Sequence, residues 1–497
     1  MKKNWIVIVL ALLVIAYPAS AWLIGKKVES SMVASTERML ATAPYLKVVK
    51  RDHRGGVFSS SEDTTIEIAG DLFRSLNTMQ KSQEPHTTTE NEVPVMDQPP
   101  VLLPDPPEPK KDVEPMKPIT LRVLSHIKHG PFAGGSLALA KIDSELVFED
   151  KVQQELNKAF AGKKPLTLST LMGWSGGGTT TVNSPAANVS LQQGATTLDW
   201  RGLQGKVDFT KDMASYRADV SSAGLEIVGG PKKETMKIGA MQIQSDKKRL
   251  GDSAFLYAGK DNGTIKEMSF SSTADPSKAF ALKDISYVGD MSEASGFVNM
   301  IAKMGAKNFA IGAETYGAAH YDFSIKHLHA ATLEKLIKSF GEFYSGKHKT
   351  PEEIMAASMA PWKNYGPEML KHNPEFIIDR ISFTTPEGEA LLKANIKIPG
   401  ATAEDVANPM TLIPKIDASA DFALPEALVA KLAGAGKQTD EEKAAAAEMM
   451  QQQLQSAEQQ GYIIRADKMI KTHFEWKNGK GMVNGKPLQM PGAPPQE

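Results

Sequence analysis

The 497-residue chain contains no cysteine, which excludes disulfides, thiolate metal sites and cysteine nucleophiles together. It also lacks an excess of either charge: 57 Lys plus Arg stand against 58 Asp plus Glu, a formal balance of −1. No extended Lys/Arg cluster offsets that balance, so the electrostatic footprint of a general nucleic-acid binder is missing and no nucleic-acid partner is expected. Neither a repeat of solenoid period nor an H-E-x-x-H string occurs. What is present is a 41 % hydrophobic composition and 10 histidines. At roughly 100–200 residues per domain, the length suffices for two or more cores.

The N-terminus carries the clearest single signal. Lys2 and Lys3 precede Trp5 to Ile24, a run of 20 residues without a formal charge. At about 1.5 Å per residue it reaches roughly 30 Å, the thickness of a bilayer hydrocarbon core. Lys2, Lys3 and the α-amino group favour a cytoplasmic N-terminus, and Trp5 and Trp22 sit near the two ends, where indoles prefer the interface. A cleavable signal peptide competes, since Ala19-Ser20-Ala21 is a small-x-small site. The continuation through Trp22-Leu23-Ile24 suits a retained anchor better. Residues 1–25 are therefore expected to anchor the chain, through residues 5–24, in a bacterial inner membrane as a single pass, with the bulk in the periplasm.

Residues 26–80 follow as a membrane-proximal helix, Val28 to Leu40, and first strands around Arg54-Gly55-Gly56. Between Pro85 and Pro118 stand ten prolines, a composition that neither propagates a helix nor pairs as a central strand, so 81–118 reads as a linker or loop insertion. From 119 to 437 the chain is mainly short alternating segments such as Val207-Asp208-Phe209, Leu225-Glu226-Ile227, Met241-Gln242-Ile243 and Tyr321 to Ile325, with turns at clusters such as Asp261-Asn262-Gly263. Helices are predicted near 331–345 and 351–359. In 438–497, Thr439 with Glu442 makes a capping box for a helix running toward Gly461, and Asn478-Gly479 and Asn484-Gly485 signal hairpin turns. The fold class is α+β, mainly β: an elongated antiparallel meander with a few packed helices behind an N-terminal transmembrane helix.

Two groups of residues look chemical. Gly173-Trp174-Ser175-Gly176-Gly177 fits G-x-S-x-G, which would make Ser175 a nucleophile, but a strand rather than a helix follows and a tight hairpin is the plainer reading. His320, His327 and His329 form the only histidine cluster, the last two on one strand face and near enough to share a metal. No carboxylate falls at a ligand offset, so neither a metal nor another cofactor is expected. His53 and His129 stand beside glycines, in turn chemistry.

The strings Arg54-Gly55-Gly56-Val57-Phe58-Ser59 and His129-Gly130-Pro131-Phe132 resemble the R-G-x-F-S and H-G-P-F elements of the YdgA-like family of proteobacterial envelope proteins. Ala21-Trp22, Gly25 to Glu29, Gly173 to Gly176, Asn373-Pro374-Glu375 and Thr385 to Glu389 are similar to further segments of that family, in order. The resemblance implies a single-pass inner-membrane protein with a large periplasmic part, some members being dimers loosely connected with motility. It brings no catalytic residue. It marks Arg54, Gly55, Phe58, His129, Gly130, Pro131 and Phe132 as structural or binding positions, and makes the Pro-rich stretch an insertion. The expected function is non-catalytic, binding lipid or an envelope protein. A serine hydrolase using Ser175, or an adaptor that self-associates as a homodimer through the helix from Thr439, are the alternatives.

Overall fold

The computed structural model describes residues 4–43, 46–68, 119–148, 150–191, 195–230, 233–345, 351–402, 404–405, 408–434 and 439–488. The Pro-rich segment 81–118 lies outside them. The chain opens with α1 (Asn4–Thr42), one continuous helix that includes Pro18. The separate helix expected at Val28 to Leu40 is thus its second half. Among the described residues no helix is long and apolar enough to cross a membrane. The run Trp5 to Ile24 lies within α1, and the side chains of its residues 5–16 are outside the described ones.

Almost all that follows is antiparallel strand. β1 (Leu46–Gly55), β2 (Ser59–Ile68), β3 (Ile119–His129), β4 (Ala140–Val147), β5 (Thr167–Met172) and β6 (Gly178–Ser184) pair in sequence order. β2 and β3 stay in register from Ser59 opposite Lys128 to Ile68 opposite Ile119, so the insertion leaves the two flanking strands as neighbours. β7 (Ala187–Leu191), β8 (Thr196–Trp200), β11 (Leu225–Gly229) and β12 (Glu234–Ile238) form a branch, while β9 (Leu203–Phe209), β10 (Ser215–Ser222) and β13 (Met241–Arg249) continue the main sheet from β6. The two rejoin on β14 (Tyr257–Ser272), whose first part pairs β13 and whose last part pairs β12.

Beyond β14 come β15 (Phe280–Ala294), β16 (Phe297–Ile311), the short β17 (Glu314–Tyr316), β18 (Ala319–His329), β19 (Glu375–Thr385), β20 (Gly388–Lys397), β21 (Asp417–Pro425), the short β22 (Ile464–Ala466), β23 (Met469–Lys477), β24 (Lys480–Val483) and β25 (Lys486–Pro487). The remaining helices are α2 (Asp150–Ala159), α3 (Ala330–Ser345), α4 (Pro351–Lys371), α5 (Glu426–Ala433) and α6 (Asp440–Gln460). The β-rich meander and the four segments cited for alternation are found as strands. Asp261-Asn262-Gly263, expected as a turn, lies inside β14. Both neighbours hold it extended there, and Gly263 leaves space beside the Tyr287 Cβ. α4 runs past the expected end near residue 359, to Lys371, through Pro361 and Pro367. Pro361 is fully buried, so packing outweighs the hydrogen bond that the ring removes.

Directly opposed residues in an antiparallel pair share a face, so the register traces each face of the sheet. One face carries an alternating polar ladder, Thr179, Asp208, Arg217, Asp246, Lys260 and Asp290, across β6, β9, β10, β13, β14 and β15. The other face is mostly apolar. A one-residue slip at any strand would exchange the two sets, which is what fixes the register.

Candidate functional site

The site is built from the apolar face and the helix laid on it. α1 meets the sheet at the β1–β2 and β3–β4 turns, where the two family-like strings fall. The Tyr17 ring stacks on Phe58 with centroids 5.7 Å apart. Buried His129 donates from Nδ1 to the Ala21 carbonyl oxygen at 2.9 Å, the only role open to a nitrogen facing a carbonyl. A Cβ on Gly25 would stand 2.5 Å from the His129 ring. Gly130 has φ +133° and faces Ala21. Phe58, His129 and Gly130 thus form a seat for the helix. Gly55 is in the hairpin, Arg54 is exposed and paired with Asp52, and Pro131 and Phe132 lead the turn outward.

One step further in, Glu62 is buried and takes hydrogen bonds from Arg51 at 2.8 Å and Thr64 at 3.1 Å. His53 lies 3.4 Å from Glu62 and 3.8 Å from Glu29 of α1. The hydrogen bond from Lys26 holds the Glu29 carboxyl below its ordinary pKa, with His53 adding to the effect.

Val28 then packs into Ile127, Leu139, Ala140 and Ile142, and beyond that the helix lifts off. Between it and strands β4, β5, β6 and β9 is a cavity of about 700 Å³, lined on the sheet side by Ile142, Leu168, Met172, Val182, Val207 and Phe209 and on the helix side by Met32, Ser35 and Thr36. Arg38 closes the far end through a 3.0 Å ion pair with Asp212. Trp174 and Ser175 also line the cavity. Ser175 is in the β5–β6 hairpin, closed by Gly173 N–H to Gly177 O at 2.8 Å, and β6 follows it. Among the described residues lining the cavity there is no histidine.

The same face continues across the sheet. Met291, Met300, Ile325, Phe376, Ile396, Ala418 and Trp476 form one transverse row. Tyr287, Met304, Tyr321, Ile381, Leu392 and Phe422 form the next. These are not closed over: Tyr321 is 48 % exposed, Phe422 44 %, Ile396 40 %, Phe376 39 % and Met304 38 %. Helical cover is local, as where Met369 of α4 seals Val298 and Leu328. Between β13 and β14 the face is crossed by one ion pair, Lys247 with Asp261. Monomers rarely leave apolar patches beyond a few hundred Å² uncovered, and larger ones mark binding surfaces.

The histidines do not assemble as the sequence suggests. A bulge between β16 and β18 sets Asn299 opposite two residues, His327 takes φ +61°, and the period-two alternation that would align His327 with His329 is broken. Both rings lie around Phe297, at 3.9 and 5.9 Å between centroids, with His372 stacked on His329 at 4.1 Å. Burial, reinforced by His372, lowers the His329 pKa. His320 pairs Gly305 and Ser382 elsewhere on the strand. Among the described residues no group of three or more His, Asp or Glu could hold a metal ion.

Sequence reasoning found the two turn strings but not what they hold. Tyr17, Ala21 and Gly25 were legible only as anchor. The exposed apolar rows were readable as alternation within each strand, but not as rows, because register between strands leaves no mark in a single sequence. A family model described as a bacterial protein of unknown function, DUF945, matches residues 1–491. No curated protein matches the chain.

Proposed function

The chain belongs to the DUF945 family of bacterial proteins of unknown function, and from that premise we propose that it is a non-catalytic inner-membrane protein whose periplasmic sheet binds lipid acyl chains on its open apolar face. The observation that carries this reading is the pair of half-exposed apolar rows spanning β15 to β21, on the face that also lines the cavity beneath α1. Full burial of such a side chain stabilises by about 1.5–3 kcal/mol. Several that are half-exposed therefore leave a driving force that a flexible hydrocarbon chain can use without directional partners. The uncharged run Trp5 to Ile24 supports the anchor, and the likeness of the turn strings to YdgA-like proteins points the same way.

The test is photo-crosslinking in cells, with a photoreactive phenylalanine analogue in place of Tyr321 or Phe376 and, as control, of Lys303 on the polar face. Lipid adducts at Tyr321 and Phe376, with none at Lys303, are expected. Adducts only to other copies of the chain would favour the self-associating adaptor instead. The serine-hydrolase alternative gains from the position of Ser175 in the cavity wall and loses from the missing imidazole. Fluorophosphonate labelling that disappears in Ser175→Ala would establish it over the lipid-binding reading.

A further inference from the structure

We propose that the β1–β2 and β3–β4 turns, residues 55–58 and 130–137, are seated in the headgroup and upper acyl region of the bilayer that α1 crosses. This rests on the anchoring of α1 proposed above. The first argument is length. All 20 residues from Trp5 to Ile24 are needed to reach roughly 30 Å, yet the last eight of them already lie beside the sheet. Tyr17 is stacked on Phe58, and Ala21 is buried against Gly130 and His129. The contacts then move inward along the helix, to His129 at Gly25 and to Ile127 at Val28, so α1 enters the sheet at these turns. The twelve residues before Tyr17 supply only about 18 Å. If the whole run is in the membrane, the turns are carried about 12 Å in with it.

The second argument is what the turns present. Val57 is 45 % exposed, Phe58 46 %, Phe132 62 % and Leu137 72 %, while Trp22 and Leu23 on the adjoining helix are 50 % and 62 % exposed. Their backbone is largely self-satisfied, through Gly56 N–H to Ser59 O, Gly130 N–H to Leu139 O and Ser136 N–H to Ala133 O, as entry into a poorly hydrated layer requires. Lys26 and exposed Arg54 stand behind the apolar tips, at the level where anionic headgroups attract cations. Together they make a belt of apolar tips with a basic rim.

The native chain has no cysteine, so single cysteines report position cleanly. Val57→Cys and Leu137→Cys, with Leu13→Cys in α1 and Asp467→Cys in the β22–β23 turn as references, would be labelled with an environment-sensitive dye. The full chain would be reconstituted in vesicles of phosphatidylethanolamine and phosphatidylglycerol containing lipids spin-labelled near the headgroup or deep in the chain. The labels at 57 and 137 should lose at least half of their emission to the shallow quencher, the label at 13 to the deep one, and the label at 467 to neither. Quenching at 13 with none at either turn overturns the seat and leaves the anchor standing. Quenching at none of the three removes the anchor as well. Val57 and Leu137 are exposed, so their replacement removes little packing, and the two report independently.

Discussion

Gly25 lies inside α1, where alanine would ordinarily be the better residue by about 1 kcal/mol. Here the added Cβ would meet the His129 ring at 2.5 Å, and the ring is fixed by its bond to Ala21. Gly25→Ala should therefore destabilise, by about 1–3 kcal/mol of overpacking, and thermal unfolding of Gly25→Ala beside the double variant Gly25→Ala/His129→Ala would check it, since the second change removes the clash. His473 offers a second expectation. Hydrogen bonds from its ring to Asp421 and to Glu475 raise its pKa above the ordinary 6.5, so the folded state holds the proton more tightly than the unfolded one. That contribution is complete below the unfolded pKa and disappears as pH rises through the raised folded value. Urea midpoints measured from acid to alkaline pH should fall over that window in the native chain, and His473→Gln should flatten the fall.

α6 begins with the capping box expected from its sequence: Thr439 accepts from the Glu442 N–H at 3.1 Å and Glu442 accepts from the Thr439 N–H at 3.2 Å. Gly461 closes the other end at φ +82°. Yet no residue of α6 is buried, so its stability is local. Thr439→Ala should cost about 1 kcal/mol, visible as faster amide exchange along α6 with the global unfolding midpoint nearly unchanged. Signals of this kind, written in contiguous residues, were legible: the capping box, the Asn-Gly turns with positive φ at Asn478, Gly479, Asn484 and Gly485, and the strand alternation. What was not legible depended on partners distant in the chain. Asp261-Asn262-Gly263 reads as a turn until β13 and β15 flank it. His327 and His329 read as one face until the bulge separates them. α4 reads as ending near its first proline until Pro361 is found buried.

Across the whole molecule, the main sheet runs through nineteen strands among the described residues, from β1 to β25. At about 4.8 Å per strand its width is on the order of 85 Å along the sheet. Its two faces divide the work: charges hold register on one, and the other is left half open. If the open rows are a binding surface and not unfinished core, charge placed there should remove the ligand without unfolding the sheet. Tyr321→Glu combined with Met304→Glu should abolish lipid adducts at a Phe376 crosslinker, while the thermal midpoint moves by only a few degrees. A collapse of the midpoint would mean instead that these side chains are structural. The order of the strands has one more consequence. Nearly every strand of the main sheet pairs with the one that precedes it in the chain, so a polypeptide made from its N-terminus always finds the edge it needs already in place. Assembly can therefore keep pace with synthesis, each strand docking on the last, and the growing edge is capped as soon as the next segment arrives, before another molecule can use it.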